Sequence, residues 1–253
     1  MGEALLGGLL ANAWAQPSEV AIVERLAGRR EELNDLFPGV AVVDEIGPCT
    51  SALIAVKPDD VSSAAASLGA LEEAPRRVLS IAAGVTIATL EQAIGRAETA
   101  VIRAMPNTPA LVGRGAAAIA PGAAAGEEDL AWAEEVLGSV GVVTRVKEEL
   151  LDAVTGLSGS GPAYVFLVAE SLVEAGVLNG LPRDVSTTLT VQTLLGAATL
   201  LADSGRDASA LRADVTSPGG TTAAGLWALE SAGVRAAFLE AVSAATRRSR
   251  ELG

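Results

Sequence analysis

The 253-residue chain has no histidine, which excludes Ser-His-Asp and Cys-His catalysis and every zinc site that uses imidazole. A single cysteine, Cys49, excludes an internal disulfide, fits a reducing cytoplasm and argues against a transition-metal site. Proton transfer is left to water, hydroxyls, carboxylates and lysine. Aromatic residues make up 3% of a chain that is 50% hydrophobic, so the core must be built from Ala, Val and Leu. Positive charge is also scarce. The formal net charge of −13 gives no clustered basic surface for phosphates, and nucleic acid is not expected as a partner. Arg247, Arg248 and Arg250 lie near the end of the last predicted helix, where cations complement the helix dipole.

Targeting signals are incomplete. ALLGGLLANAWA (4–15) has the apolar character of an export signal, but Glu3 stands where positive charge belongs and no Lys or Arg precedes Arg25. Met1-Gly2 suggests myristoylation, yet Leu6 occupies the position that needs Ser or Thr. The long uncharged run between Asp184 and Asp203 carries seven Ser, Thr and Gln residues, which suits a packed helix better than lipid. A cytoplasmic protein without a membrane partner is expected.

What is present divides in two. Up to about residue 150, strand-like runs at 19–23, 40–43, 51–56, 77–82, 98–104, 115–121 and 140–146 alternate with helical patterns at 3–15, 26–36, 59–74, 86–94 and 127–138. That alternation predicts an α/β domain, a Rossmann-like, mostly parallel sheet covered on both faces. Ligands bind such sheets at the carboxyl ends of the strands, which selects the loops AVKP (55–58), AAGVT (82–86) and AMPNTP (104–109). From Glu148 onward the pattern is helix after helix: 148–156, 162–178, 183–204, 208–213, 221–231 and 233–250. The expected domains are therefore 1–150 for dinucleotide binding and 151–253 for an all-α dimerisation and substrate-binding region. Ala-rich helices that cannot cover one another predict packing against a second subunit.

Within the helical half, DVTSPGGTTAAGL (214–226) ends a loop at a helix N-terminus. Gly219 and Gly220 remove Cβ where unpaired amides point outward, a seat suited to carboxylate or phosphate. Ser217, Thr221 and Thr222 add hydroxyls. An ordinary capped helix start is the alternative reading of this stretch alone.

Together with AVKP, SIAAGVTI (80–87), AMPNTPAL (104–111), SGSGPAYVF (158–166), GLPRD (180–184) and ALESAG (228–233), this stretch resembles the pyrroline-5-carboxylate reductase family over essentially the whole chain. The resemblance implies reduction of the C=N bond of 1-pyrroline-5-carboxylate to L-proline by NADPH, or by NADH in its place, as the last step of proline biosynthesis. It implies that Ser217, Gly219, Gly220 and Thr221 grip the substrate carboxylate and that the Thr222 hydroxyl bonds the ring nitrogen. It implies that Val56, Lys57 and Pro58 flank the dinucleotide, and that Ala83, Gly84, Met105 and Asn107 approach the nicotinamide. Lys57 also reads as an ordinary solvated lysine. Glu24 and Arg25 stand where coenzyme preference is set: the acid suits the ribose hydroxyls of NADH and the arginine the 2′-phosphate of NADPH, and Arg25 favours NADPH. The family further implies a homodimer, commonly built into a decamer, with each substrate pocket close to the subunit interface.

Two features depart from the family. Its chains open with a strand and a G-x-G-x-M-G turn that seats the pyrophosphate, whereas here Met1-Gly2 matches only the end of that turn. The sheet is thus expected to lack its first strand as written, leaving Gly2 at the phosphate seat. A start roughly ten residues upstream is expected rather than loss of a central strand, which would leave buried backbone unpaired. Asp44-Glu45 replaces the asparagine of many relatives on the adenine side. Alternatives are a related imine or β-hydroxyacid reductase, the latter disfavoured because Lys147 is the last lysine, and a non-catalytic oligomeric remnant.

Overall fold

Short apolar, β-branched runs punctuated by Gly and Pro form seven strands in the computed structural model, which describes residues 1–252. These are β1 (Ala21–Val23), β2 (Ala41–Val43), β3 (Ser51–Ile54), β4 (Arg77–Ser80), β5 (Ala100–Met105), β6 (Gly115–Pro121) and β7 (Gly141–Arg145). Interleaved with them are α1 (Gly2–Ala11), α2 (Ala27–Leu36), α3 (Pro58–Gly69), α4 (Ile87–Ile94) and α5 (Glu127–Gly138). The expected helix over 3–15 stops at Ala11. Asn12 Nδ2 turns back to the carbonyls of Gly8 and Ser139, both at 3.0 Å, and Ala13 takes a left-handed φ of 52°.

The strands make two sheets. β1 and β2 form a parallel pair with Ile22 opposite Val42. The five-stranded sheet β3-β4-β5-β6-β7 is parallel except between β5 and β6, where Ala104 opposes Ile119. The parallel-dominated α/β character matches the expectation. The division falls where a doubly wound order needs one more parallel strand, between β1 and β3. Among the described residues none pairs with both.

Each face of the larger sheet has its own core. On one, Val78 and Val101 meet Val61, Ala65 and Leu68 of α3 and Leu90 and Ile94 of α4. On the other, Leu79, Ile102 and Ile119 meet Leu5 and Leu9 of α1 and Ala133, Val136 and Leu137 of α5. Burying each of these leucines stabilises the fold by roughly 1.5–3 kcal/mol. A third cluster joins Leu6 and Leu10 of α1 to Leu33, Phe37, Ile22 and Val42. Helix α1 therefore serves both sheets: Leu5 and Leu9, one turn apart, face the large one, while Leu6 and Leu10 face the pair. Between α3 and α4 the approach is so close that a Cβ on Gly69 would stand 1.8 Å from the Ile94 carbonyl oxygen.

The later chain is helical: a 3₁₀ turn Glu148–Leu150, α6 (Leu151–Val154), a π turn Thr155–Gly159, then α7 (Gly161–Leu178), α8 (Arg183–Asp203), α9 (Ala208–Asp214), α10 (Thr221–Ser231) and α11 (Val234–Leu252). Two compact units result. One runs from Met1 to Ser160 and includes the end of α11 from Ala244, held by the bond from Ser249 Oγ to Asp152 Oδ1 at 2.7 Å. The other spans Gly161–Ser243. In the latter, α7 and α8 pack at the small Gly176, where Ser186 Oγ donates to the Val173 carbonyl at 2.8 Å.

Candidate functional site

In the first unit, the carboxyl ends of the parallel strands gather the residues expected around a dinucleotide. After β3 the chain turns through Val56 and Lys57, both exposed, into α3, which starts at Pro58, a position that needs no amide hydrogen. Beside this turn a Cβ on Gly2 would lie 3.1 Å from that of Ala55, so the glycine eases the close approach of the N-terminus of α1. After β4, Ala82 is buried, Ala83 is exposed, and Gly84 reverses the chain with a φ of 78° before Thr86 caps α4, its Oγ1 accepting from Thr89 N at 3.2 Å.

At the end of β5, Met105 is half-buried against the π turn, where a Cβ on Gly159 would come within 2.7 Å of Met105 Cε. Asn107 is buried and its amide is engaged at both ends: Nδ2 donates to the Ser158 carbonyl at 3.0 Å and Oδ1 accepts from Ala116 N at 2.8 Å. Asn107 therefore braces the π turn and β6. Its polar atoms are already in use.

After β1, Arg25 is exposed and its Nη2 lies 2.6 Å from Asp60 Oδ1 on α3. Glu24 Oε1 accepts from the Leu26 amide at 2.9 Å. Arg30 Nη1 donates to the carbonyls of Glu24 and Arg25 at 2.9 and 2.8 Å and fixes the shape of this turn. Arg29 is tied to Glu3 and Glu32, which hold its guanidinium above the usual arginine range chiefly through their hydrogen bonds.

Sequence reasoning missed an ion pair beneath these loops. Arg103, on central strand β5, is buried, and its Nη1 lies 3.0 Å from Glu148 Oε1. The same oxygen accepts from Ile87 N, the first amide of α4, at 2.7 Å. One carboxylate thus links β5, the helix that follows the Ala83-Gly84 loop, and the start of the helical run. The available signal was an arginine inside the apolar run AVIRAM, since a charge in a central strand must be paired.

The second unit holds the TSPGGTT loop. Gly219 has a φ of 71°, and Gly220 is the N-cap of α10 in extended conformation, its amide donating to the Ser217 carbonyl at 3.0 Å. A Cβ on Gly220 would approach that carbonyl oxygen to 3.1 Å. No side chain caps this helix, and the first intrahelical bond runs from Ala224 N to Gly220 O. The amides of Thr221, Thr222 and Ala223 therefore point out of the helix end, on an exposed loop that carries the Ser217, Thr221 and Thr222 hydroxyls. No side-chain cap therefore competes with a ligand for these amides.

Mostly parallel strands covered by helices, with helix N-termini and bare glycine turns at their carboxyl ends, are the layout of a Rossmann-type oxidoreductase. A family model described as pyrroline-5-carboxylate reductase dimerisation matches residues 148–252. A Synechocystis pyrroline-5-carboxylate reductase is 43% identical over 256 residues, covering 100% of this chain and 95% of that protein. Among solved structures, a pyrroline-5-carboxylate reductase from Coxiella burnetii superposes with a TM-score of 0.93 at 32% identity, over 100% of this chain and 94% of the other. A Plasmodium falciparum pyrroline carboxylate reductase with NADP bound gives 0.84 at 29% identity, over 100% and 94%. The chain belongs to the pyrroline-5-carboxylate reductase family.

The dimerisation match accounts for the helical surface. Phe166, Leu195, Trp227 and Leu239 are all more than half exposed, and neither α7 nor α10 buries a residue. Two stretches, 148–178 and Arg183–Asp203, are long and apolar enough by length and composition to cross a membrane, yet both fall in the matched dimerisation segment. Self-association is the use this apolar surface serves.

Proposed function

We propose that this chain reduces the cyclic C=N bond of 1-pyrroline-5-carboxylate to give L-proline with NADPH, NADH being an alternative donor, in the cytoplasm and as a homodimer assembled further into a decamer. The division of labour follows the sequence: 1–150 for the dinucleotide, 151–253 for dimerisation and substrate. The uncapped N-terminus of α10 behind two glycines carries this reading, because the substrate is a small carboxylate and three free amides with a helix dipole suit one. Ser217, Gly219, Gly220 and Thr221 hold the carboxylate, and the Thr222 hydroxyl bonds the ring nitrogen. That bond fixes the ring plane and stabilises the nitrogen as it gains its proton from water; with no histidine, positioning supplies most of the rate gain.

The nicotinamide coenzyme, when bound, supplies the hydride. The residues present fit such a group at its two ends: Arg25 at the ribose, and Ala83, Gly84 and Met105 at the nicotinamide, with Asn107 bracing that edge. Val56, Lys57 and Pro58 flank its middle. At the pyrophosphate the fit rests on the first-turn amides of α1 beside Gly2, where a Cβ would fill the space against Ala55.

NADPH oxidation by this chain with pyrroline-5-carboxylate tests the proposal, and a rate that depends on both reactants is expected. A non-catalytic oligomeric protein is the second reading, since the exposed apolar helices support assembly without a coenzyme. Absence of NADPH binding in a direct titration would select it.

A further inference from the structure

The β1 turn offers an anionic ribose substituent two donors, the Arg25 guanidinium and the Leu26 amide, and both already hold carboxylates of this chain. Glu24 Oε1 takes the amide at 2.9 Å. Asp60 Oδ1, reaching across from the first turn of α3, takes Arg25 Nη2 at 2.6 Å. Arg30 is committed to the Glu24 and Arg25 carbonyls, with Asp44 3.8 Å from its Nη2. Two guanidiniums, those of Arg25 and Arg30, therefore lie against the carboxylates of Asp60 and Asp44, while the Glu24 carboxylate holds the Leu26 amide.

We propose that Asp60 is a coenzyme-specificity residue: by holding Arg25 it weakens the grip on a 2′-phosphorylated ribose relative to an unphosphorylated one. The inference rests on the dinucleotide reading above. A 2′-phosphate brings roughly two negative charges, and it must share Arg25 with Asp60 or displace that carboxylate into solvent against like-charge repulsion. A ribose with a free 2′-hydroxyl meets no such conflict and finds in Glu24 an acceptor. Asp59, one residue away on the same exposed helix turn, makes no ion pair with Arg25 and serves as the control for charge alone.

The test is calorimetric titration of the full chain with 2′,5′-ADP and with 5′-AMP, for the wild type, Asp60→Asn and Asp59→Asn. Asparagine is well tolerated at a helix start, so Asp60→Asn should fold, and a thermal melt verifies it. Asp60→Asn is expected to bind 2′,5′-ADP about fivefold more tightly, the scale of one exposed ion pair, with 5′-AMP changed by less than about twofold. Asp59→Asn should leave the ratio of the two affinities unchanged. The ratio of kcat/KM for NADPH over NADH should rise in parallel in Asp60→Asn. An unchanged ratio in Asp60→Asn, or an equal gain in Asp59→Asn, overturns the role of Asp60 while the dinucleotide site stands. If the wild type binds neither nucleotide, the dinucleotide reading itself fails and this inference with it.

Discussion

Replacing Glu148 by alanine is expected to be among the most costly single changes in the first unit outside its apolar core. Arg103 is 8% exposed, and Glu148 is its only carboxylate within 4 Å among the described residues. Removing the carboxylate strands a buried guanidinium and also orphans the Ile87 amide, bonded at 2.7 Å. Breaking a buried pair in this way costs about 3–5 kcal/mol, and because Glu148 keeps a third of its side chain in solvent the lower end applies, about 3 kcal/mol. Glu148→Gln would still accept from Ile87 but leave Arg103 unpaired, at about 2 kcal/mol. Arg103→Met leaves a partly solvated carboxylate still bonded to Ile87, at about 1 kcal/mol.

The double variant Arg103→Met/Glu148→Gln removes both charges and keeps the amide bond, so it should lie about 1 kcal/mol below the wild type rather than the roughly 3 kcal/mol its single changes would add to. Urea unfolding midpoints at one fixed protein concentration measure all of these, the fixed concentration being needed because association contributes to stability. Additive losses in the double variant would refute the coupling. A Glu148→Ala variant as stable as the wild type would refute the burial argument altogether.

Other outcomes follow from the same geometry. Thr222→Ala should lower turnover roughly tenfold or more, the loss of one hydrogen bond to a nitrogen that becomes charged, with NADPH affinity within about twofold; unchanged turnover would remove Thr222 from the site. Asn107→Ala, which breaks two hydrogen bonds at a buried position, should cost about 3 kcal/mol in urea unfolding, and Asn107→Asp, which keeps the acceptor for Ala116 N, should cost less. The Arg145 hydrogen bond holds the Glu134 carboxyl below the usual carboxylate range. A depressed carboxylate stabilises the fold above its unfolded pKa, and that contribution is lost as pH falls through the folded value. The stability gap between the wild type and Arg145→Gln should therefore be present at neutral pH and shrink below about 4.5. A gap independent of pH in unfolding measurements would contradict it.

Much of this was legible in the sequence because its punctuation is strong. β6, α5 and α10 have the residue limits that the sequence predicts, each bounded by glycine or proline. The three strand-end loops follow from the parallel-sheet rule, and the TSPGGTT loop from its paired glycines. The breaks inside the run after Glu148 were not legible: a helix over 148–156 was expected, and the π turn at 155–159 depends on the Asn107 amide donating to the Ser158 carbonyl, a partner 51 residues away. Glu148 itself reads locally as one more acid at a helix start; only the tertiary fold brings Arg103 and Ile87 to it. The sequence predicts a sheet without its first strand as written, but it does not show the role of α1 in joining the halves, because adjacent leucines in a short apolar helix do not reveal that they serve different neighbours.

That role has a dynamic consequence. Leu5 and Leu9 are committed to α5 and the large sheet while Leu6 and Leu10 are committed to β1, β2 and α2, so α1 cannot turn or slide to suit one neighbour without withdrawing from the other. Its amides should exchange with solvent deuterium late for so short a helix, and a ligand that orders either neighbour should slow exchange in the other through α1.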